Sequence, residues 1–205
     1  FQGEDEGLRR PVALKVMRPE VADRPTSRER FLREGRAAAA IKSDHIITIY
    51  QVGEANGVPF LAMEFLEGLS LDDWLKSRKG PADEKAVLKV ARDVLKGLAA
   101  AHAKGLTHRD IKPANLWVEK RTLRVKILDF GLTSGTDTDD QHLTASGAVM
   151  GTPAYMAPEQ AEGLKVDHRA DLFSVGVVLY RMVAGKSPFQ RDSMMSTLLA
   201  LANFT

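Results

Sequence analysis

Within the stretch Thr107 to Val118, THRDIKPANLWV, an acid (Asp110), a base (Lys112) and an amide (Asn115) stand a few residues apart. A second acid follows downstream in the turn Asp129-Phe130-Gly131. A carboxylate suits a proton taken from a hydroxyl, an ammonium suits phosphoryl charge, and carboxylate and amide oxygens suit a hard cation. Together these types and spacings fit phosphoryl transfer to a hydroxyl. A lone Asp or Asn before a turn is commonly a cap. Here several such groups recur in order between apolar, strand-like runs, where charge is rarely left for solubility alone.

The surrounding elements must hold these groups in place. Val12 to Met17, VALKVM, is a β-rich run whose single internal charge, Lys15, calls for an explanation. Residues 27–42, rich in Ala, Arg, Leu and Glu, read as a helix with Ser27 as N-cap. Ile46 to Val52 and Val58 to Met63 read as strands around the turn-like Glu54-Ala55-Asn56-Gly57. Residues 83–104 place Val87, Leu88, Ala91, Val94, Leu95, Leu98 and His102 on one helical stripe, ended by Gly105. Leu116 to Glu119 and Arg124 to Leu128 read as short strands. Thr133 to Ala148 is rich in Thr, Ser, Asp and Gly with little periodicity, which predicts a mobile loop. A strong helix is expected from about Asp167 to Ala184, broken by Gly185 and Pro188, and another begins over 193–203.

Composition narrows the class. At 205 residues, 44% apolar and 27% charged, the chain has the make-up of an ordinary globular protein with a sizeable core. Its formal net charge of +2, with basic and acidic residues interspersed, does not call for nucleic acid or a membrane surface as partner. The absence of cysteine excludes disulfides and thiolate metal sites and fits a reducing compartment. No apolar run nears the roughly 20 residues a bilayer span needs. The expected location is cytoplasmic, with any membrane anchor lying in a longer parent protein. His45, His102, His142 and His168 show no metal-ligand spacing.

HRDIKPAN and DFG, taken with VALK and GTPAYMAPE, resemble the motifs of protein kinases, most closely the bacterial eukaryotic-like Ser/Thr kinases. The resemblance covers nearly the whole chain. It implies an α+β, bilobal fold: a small β-rich lobe with one helix and a hinge over 1–66, and a larger, mainly helical lobe over 67–205. It also implies truncation at both ends, because the family's GxGxxG loop would precede Phe1 and its last helices would follow Thr205. ATP and Mg²⁺, with Mn²⁺ as an alternative ion, become the expected donor complex. Protein Ser/Thr hydroxyls become the acceptors, and contact between two kinase copies would serve autophosphorylation.

The resemblance assigns roles residue by residue. Asp110 would take or orient the hydroxyl proton, Lys112 would neutralise the transferring phosphoryl group, and Asn115 with Asp129 would hold the metal. Lys15 would hold the α- and β-phosphates, itself fixed by Glu34. Thr152 would bond near Asp110 and Lys112. Ala13, Met63, Leu66, Trp117 and Leu128 would line the adenine pocket, with backbone groups of Glu64 and Leu66 at the hinge. Trp117 stands where a smaller aliphatic residue is usual, and either stacks on the base or fills core space. His108 reads as a packing post against Phe130, and Asp171 as a buried anchor for the loop before Asp110. Arg109 suggests control by phosphorylation at Thr144, Ser146, Thr136 or Thr138. The alternatives are a pseudokinase acting as a binding module and a small-molecule phosphotransferase, which the peptide-docking segment GTPAYMAPE disfavours.

Overall fold

Two strands, β1 (Gln2–Asp5), with alternating burial, and β2 (Arg10–Val16), start an antiparallel sheet in a computed structural model that describes residues 1–78, 80–130 and 153–202. A short helix α1 (Pro19–Ala22) and a long one, α2 (Pro25–Ala39), lead to β3 (Ile49–Ala55) and β4 (Val58–Glu64). The four strands lie in the order β1-β2-β4-β3, every pair antiparallel. Asn56 and Gly57, at φ 49° and 77°, form the two-residue turn between β3 and β4, a conformation that Asn-Gly tolerates well.

The α2 helix buries Phe31, Gly35 and Ala38 against this sheet. A Cβ on Gly35 would lie 2.7 Å from Leu61 Cδ2, so glycine lets helix and strand approach closely. The helix begins two residues before the expected Ser27. Pro25 supplies the first turn and Arg24 is the N-cap without a side-chain hydrogen bond. The third strand is also shifted: Ile46 makes only an isolated bridge to Ile127, and regular pairing starts at Ile49.

The second lobe contains β5 (Gly68–Ser70), α3 (Leu71–Ser77), α4 (Glu84–His102), β6 (Leu116–Glu119), β7 (Val125–Ile127), α5 (Pro158–Ala161), α6 (Arg169–Ala184) and α7 (Met194–Ala202). Strands β5, β6 and β7 form a small antiparallel sheet. One core cluster joins Val94, Leu98 and Ala101 of α4 to Val175, Val178 and Met182 of α6. Asp83 caps α4 by accepting the Ala86 N–H at 2.8 Å, and Gly185 at φ 73° ends α6.

The buried face of α4 is rotated from the expected stripe. Val90, Asp93, Val94, Gly97, Leu98 and Ala101 face inward, while Leu88 and Leu95 are exposed. Gly97 faces the core because a Cβ there would meet His45 O and Ile127 Cδ1 at 2.8 Å. The two lobes join at this point: Ile127 N–H donates to His45 O at 2.9 Å and Ile47 N–H to Ile127 O at 3.0 Å. Among the described residues no helix is long and apolar enough to cross a membrane.

Candidate active site

The loop between α4 and β6 carries Asp110, and its backbone is held from the buried side. Asp171, fully buried at the start of α6, accepts the His108 N–H at 2.9 Å and the Arg109 N–H at 2.7 Å. Its Oδ2 also lies 2.7 Å from His102 Nε2. A buried carboxylate would be costly unpaired, and these donors offset that cost. Arg109 takes a left-handed backbone, φ 65°, between these anchors and Asp110.

His108 is fully buried beside Phe130, with ring centroids 4.8 Å apart. Its Nε2 lies 2.8 Å from Leu128 O, so Nε2 carries the proton and donates. Nδ1 is then free to accept the Asp110 N–H at 3.2 Å. Both ring nitrogens are used in holding backbone, which fits a packing post and leaves neither for proton transfer.

The working side chains converge in front of this seat. Lys112 Nζ lies 2.8 Å from Asp110 Oδ2. Asn115, in the short 3₁₀ turn Pro113–Asn115, donates through Nδ2 to Asp110 Oδ2 at 2.9 Å and to Asp110 O at 2.8 Å. Asp110 Oδ1 has no partner among the described residues. Because Nδ2 faces Asp110, the Asn115 carboxamide oxygen is its remaining acceptor.

Lys15 departs from expectation. Its Nζ pairs with Asp129 Oδ1 at 2.8 Å, and no Lys15–Glu34 ion pair is present. Asp129 sits at φ 56°, a left-handed turn that brings its carboxylate to the lysine. The carboxylate that meets the ammonium comes from the turn after β7. Lys15 and Asp129 are partly exposed, so the pair is open to exchange for other charged partners.

The expected adenine-pocket residues fall on β2, β4 and β6 and on the segments that follow β4 and β7. Ala13 of β2 stands opposite Met63 of β4, with Lys15 two residues further along the same strand. Met63 also lines a small apolar cavity with Ala38, Ile46, Leu61, Asp129 and Phe130. Trp117 pairs with Ser70 and Lys126 across the second sheet, and Leu128 donates its N–H to Asn115 O at 2.9 Å. The Trp117 Nε1 is buried without a partner among the described residues. Leu66 lies in the connection from β4 to β5, and the Glu64 backbone N–H is committed to Thr48 O at 2.9 Å. Thr152, Gly131 and the candidate acceptors Thr136, Thr138, Thr144 and Ser146 lie outside the described residues.

Three contributors were not anticipated. Lys126, a buried lysine between Val125 and Ile127, pairs with the Glu64 side chain at 2.6 Å and so ties the hinge to β7. A lone lysine inside an apolar strand was the signal in the sequence. Gln160 donates from Nε2 to Arg109 O at 2.9 Å. Arg181 donates from Nη1 to Asp72 Oδ1 at 2.7 Å and to the Tyr155 hydroxyl at 2.6 Å, joining α3, α6 and the Pro153–Tyr155 turn. Burial raises the Tyr155 phenol above its ordinary range, so it stays protonated.

Against known proteins, residues 1–203 match the family described as "Protein kinase domain". The chain belongs to the protein kinase family. It is 41% identical over 199 residues to the serine/threonine-protein kinase pkn3 of Myxococcus xanthus, covering 94% of this chain and 36% of that protein. It is 41% identical over 196 residues to PknL of Mycobacterium tuberculosis, covering 96% of this chain and 48% of that one. With PknB of the same organism the identity is 38% over 196 residues, covering 94% and 31%. The chain thus spans less than half the length of these curated relatives. The crystal structure of the M. tuberculosis PknI kinase domain superposes with a TM-score of 0.76 at 29% identity, covering 95% of this chain and 70% of that one. The bilobal fold is that of a kinase domain.

Proposed function

We propose that this chain provides the catalytic centre of a serine/threonine protein kinase, which transfers the γ-phosphoryl group of ATP to Ser and Thr hydroxyls of proteins, its own among them. The observation that carries this reading is the Asp110–Lys112–Asn115 cluster on a loop whose backbone is fixed by Asp171. Asn115 and Lys112 both occupy Oδ2 of Asp110, which leaves Oδ1 to receive the hydroxyl proton. The hydroxyl oxygen then forms a bond to the γ-phosphorus while the bond to the ADP oxygen breaks, and that oxygen keeps the electron pair. Lys112 and Lys15 supply positive charge for the phosphate oxygens, which offsets the charge that develops during transfer.

The donor set fits a hard cation held jointly with phosphate. Among the described residues no three His, Cys, Asp or Glu side chains form a metal cluster of their own. The Asp129 carboxylate and the Asn115 carboxamide oxygen are hard oxygen ligands, and Mg²⁺ is commonly bound by one or two such groups plus substrate phosphates. Bound there, Mg²⁺ or Mn²⁺ would offset charge on the phosphate oxygens. Both named PknB and PknL are serine/threonine-protein kinases, which supports the same acceptor class here.

The test is γ-phosphate transfer by the full-length polypeptide to itself and to a protein substrate. Asp110→Asn should lower the rate by about 10²–10⁴-fold, the range for a lost general base. Equal transfer by the two proteins would remove Asp110 from this role, and absence of transfer by wild type that still binds ATP would mark a binding module.

A further inference from the structure

Behind Asp110, one peptide group is gripped on both sides, and only one of the grips comes from outside the loop. The peptide joining Arg109 to Asp110 has its N–H on His108 Nδ1 at 3.2 Å and its C=O on Gln160 Nε2 at 2.9 Å. Arg109 itself is at φ 65°, a conformation that L-residues adopt at a cost and that surrounding contacts must maintain. Asp171 fixes the peptide before Arg109, and Gln160 fixes the peptide after it. Rotation of that second peptide would carry the Asp110 Cα, and with it the carboxylate, away from Lys112 and Asn115.

Gln160 is well placed for this task. It is the third residue of α5, and its Oε1 accepts the Ala157 N–H at 3.2 Å. One carboxamide therefore spans from the start of α5 to the catalytic loop. The segment just before α5 is seated firmly on α6, with Ser174 Oγ donating to Tyr155 O at 2.7 Å and Arg181 bonded to the Tyr155 hydroxyl. This is the stretch expected to receive a peptide substrate, so its seating reaches Asp110 through Gln160.

We propose that Gln160 is a positioning residue for Asp110, coupling the peptide-docking turn to the orientation of the catalytic carboxylate. The proposal rests on the reading of Asp110 as the base. Its role is distinct from helix capping, because the two hydrogen bonds of the carboxamide answer differently to charge. As a cap, the side chain needs only an acceptor for Ala157 N–H, and a negative charge at a helix N-terminus is favourable. As a positioning group it needs a donor for Arg109 O, which an ionised carboxylate lacks.

The test uses Gln160→Glu and Gln160→Met in the full-length polypeptide, with kcat, KM for ATP and thermal unfolding measured across pH. Gln160→Met should lower kcat roughly tenfold or more while KM for ATP stays within about twofold, as for an interaction expressed mainly in the transition state. For Gln160→Glu, the ratio of its kcat to that of wild type should rise as pH falls toward the ordinary Glu value of about 4.3, because the protonated acid donates again. A ratio that stays flat or falls toward acid pH overturns the proposal, as does a folded Gln160→Met with wild-type kcat. If Gln160→Met fails to fold, the pH dependence of the Gln160→Glu ratio decides alone. Failure of the Asp110 reading is separate: it shows as an active Asp110→Asn, whereas failure of this proposal shows as inactive Asp110→Asn beside unaffected Gln160 variants.

Discussion

The two sides of the catalytic loop are built on opposite plans. Behind it, Asp171 is fully buried, spends its oxygens on two backbone N–H groups and His102, and has few ways to rearrange. In front of it, Lys15 and Asp129 hold each other across the cleft with side chains 28% and 38% exposed. Hydrogen bonds to a buried charge are costly to lose, whereas an exposed ion pair contributes about 0–1 kcal/mol to stability. The fold thus invests its stability in the posture of the backbone and leaves its phosphate-facing charges exchangeable. A site that binds a polyanion benefits from this arrangement, because the lysine can leave one oxygen for another at little cost.

The largest break in this contrast is expected at Asp171. In Asp171→Asn one of the two N–H groups faces a donor instead of an acceptor, and the buried charge is gone. We expect a loss of about 3 kcal/mol in urea unfolding. Phosphotransfer should fall as well, since the His108 and Arg109 N–H groups of the loop would no longer both be held from α6. A variant as stable as wild type would show that the loop is fixed from elsewhere.

A smaller effect with a pH signature is expected at Asp93, which ties α4 to β7. It is 2% exposed and accepts from Lys89 Nζ at 2.6 Å and Val125 N–H at 3.1 Å. Burial works to raise this carboxyl, but the bond from Lys89, the backbone N–H and the charges of Lys89 and His45 outweigh it and hold it below its ordinary range. The folded state therefore binds a proton less readily than the unfolded one. The stability that Asp93 contributes is complete above the unfolded value of about 3.9 and is lost as pH falls through the lower folded value. Asp93→Asn should be less stable by about 2 kcal/mol at neutral pH, with the gap to wild type shrinking in acid. A gap that is constant across pH would contradict the assignment.

The same contrast accounts for what could be read in the sequence. Asp110, Lys112 and Asn115 are close in the chain, so their convergence follows from local geometry, and Asn56-Gly57, Gly105 and Gly185 mark turns through their own backbone preferences. The anchoring role of Asp171 was legible only through the resemblance, since its partners lie far away in sequence. Lys15 is paired with Asp129 and not with the expected Glu34, because its partner depends on the turn after β7, which no local pattern encodes. The stripe of α4 was misplaced for a related reason. Its inner face includes Asp93 and Gly97, one charged and one without a side chain, while Leu88 and Leu95 face outward. Hydrophobic spacing alone ranks those residues the wrong way round. Gln160 and Lys126 act through single long-range hydrogen bonds or ion pairs, which leave little trace in periodicity.

The most direct measurement is urea unfolding and γ-phosphate transfer run in parallel on Asp171→Asn and Lys15→Met. The account predicts that Lys15→Met unfolds within about 1 kcal/mol of wild type yet transfers phosphate at least about 10²-fold more slowly. Asp171→Asn should lose both stability and transfer. If Lys15→Met loses as much stability as Asp171→Asn, or transfers phosphate as fast as wild type, the division between a buried seat and an exchangeable front is wrong.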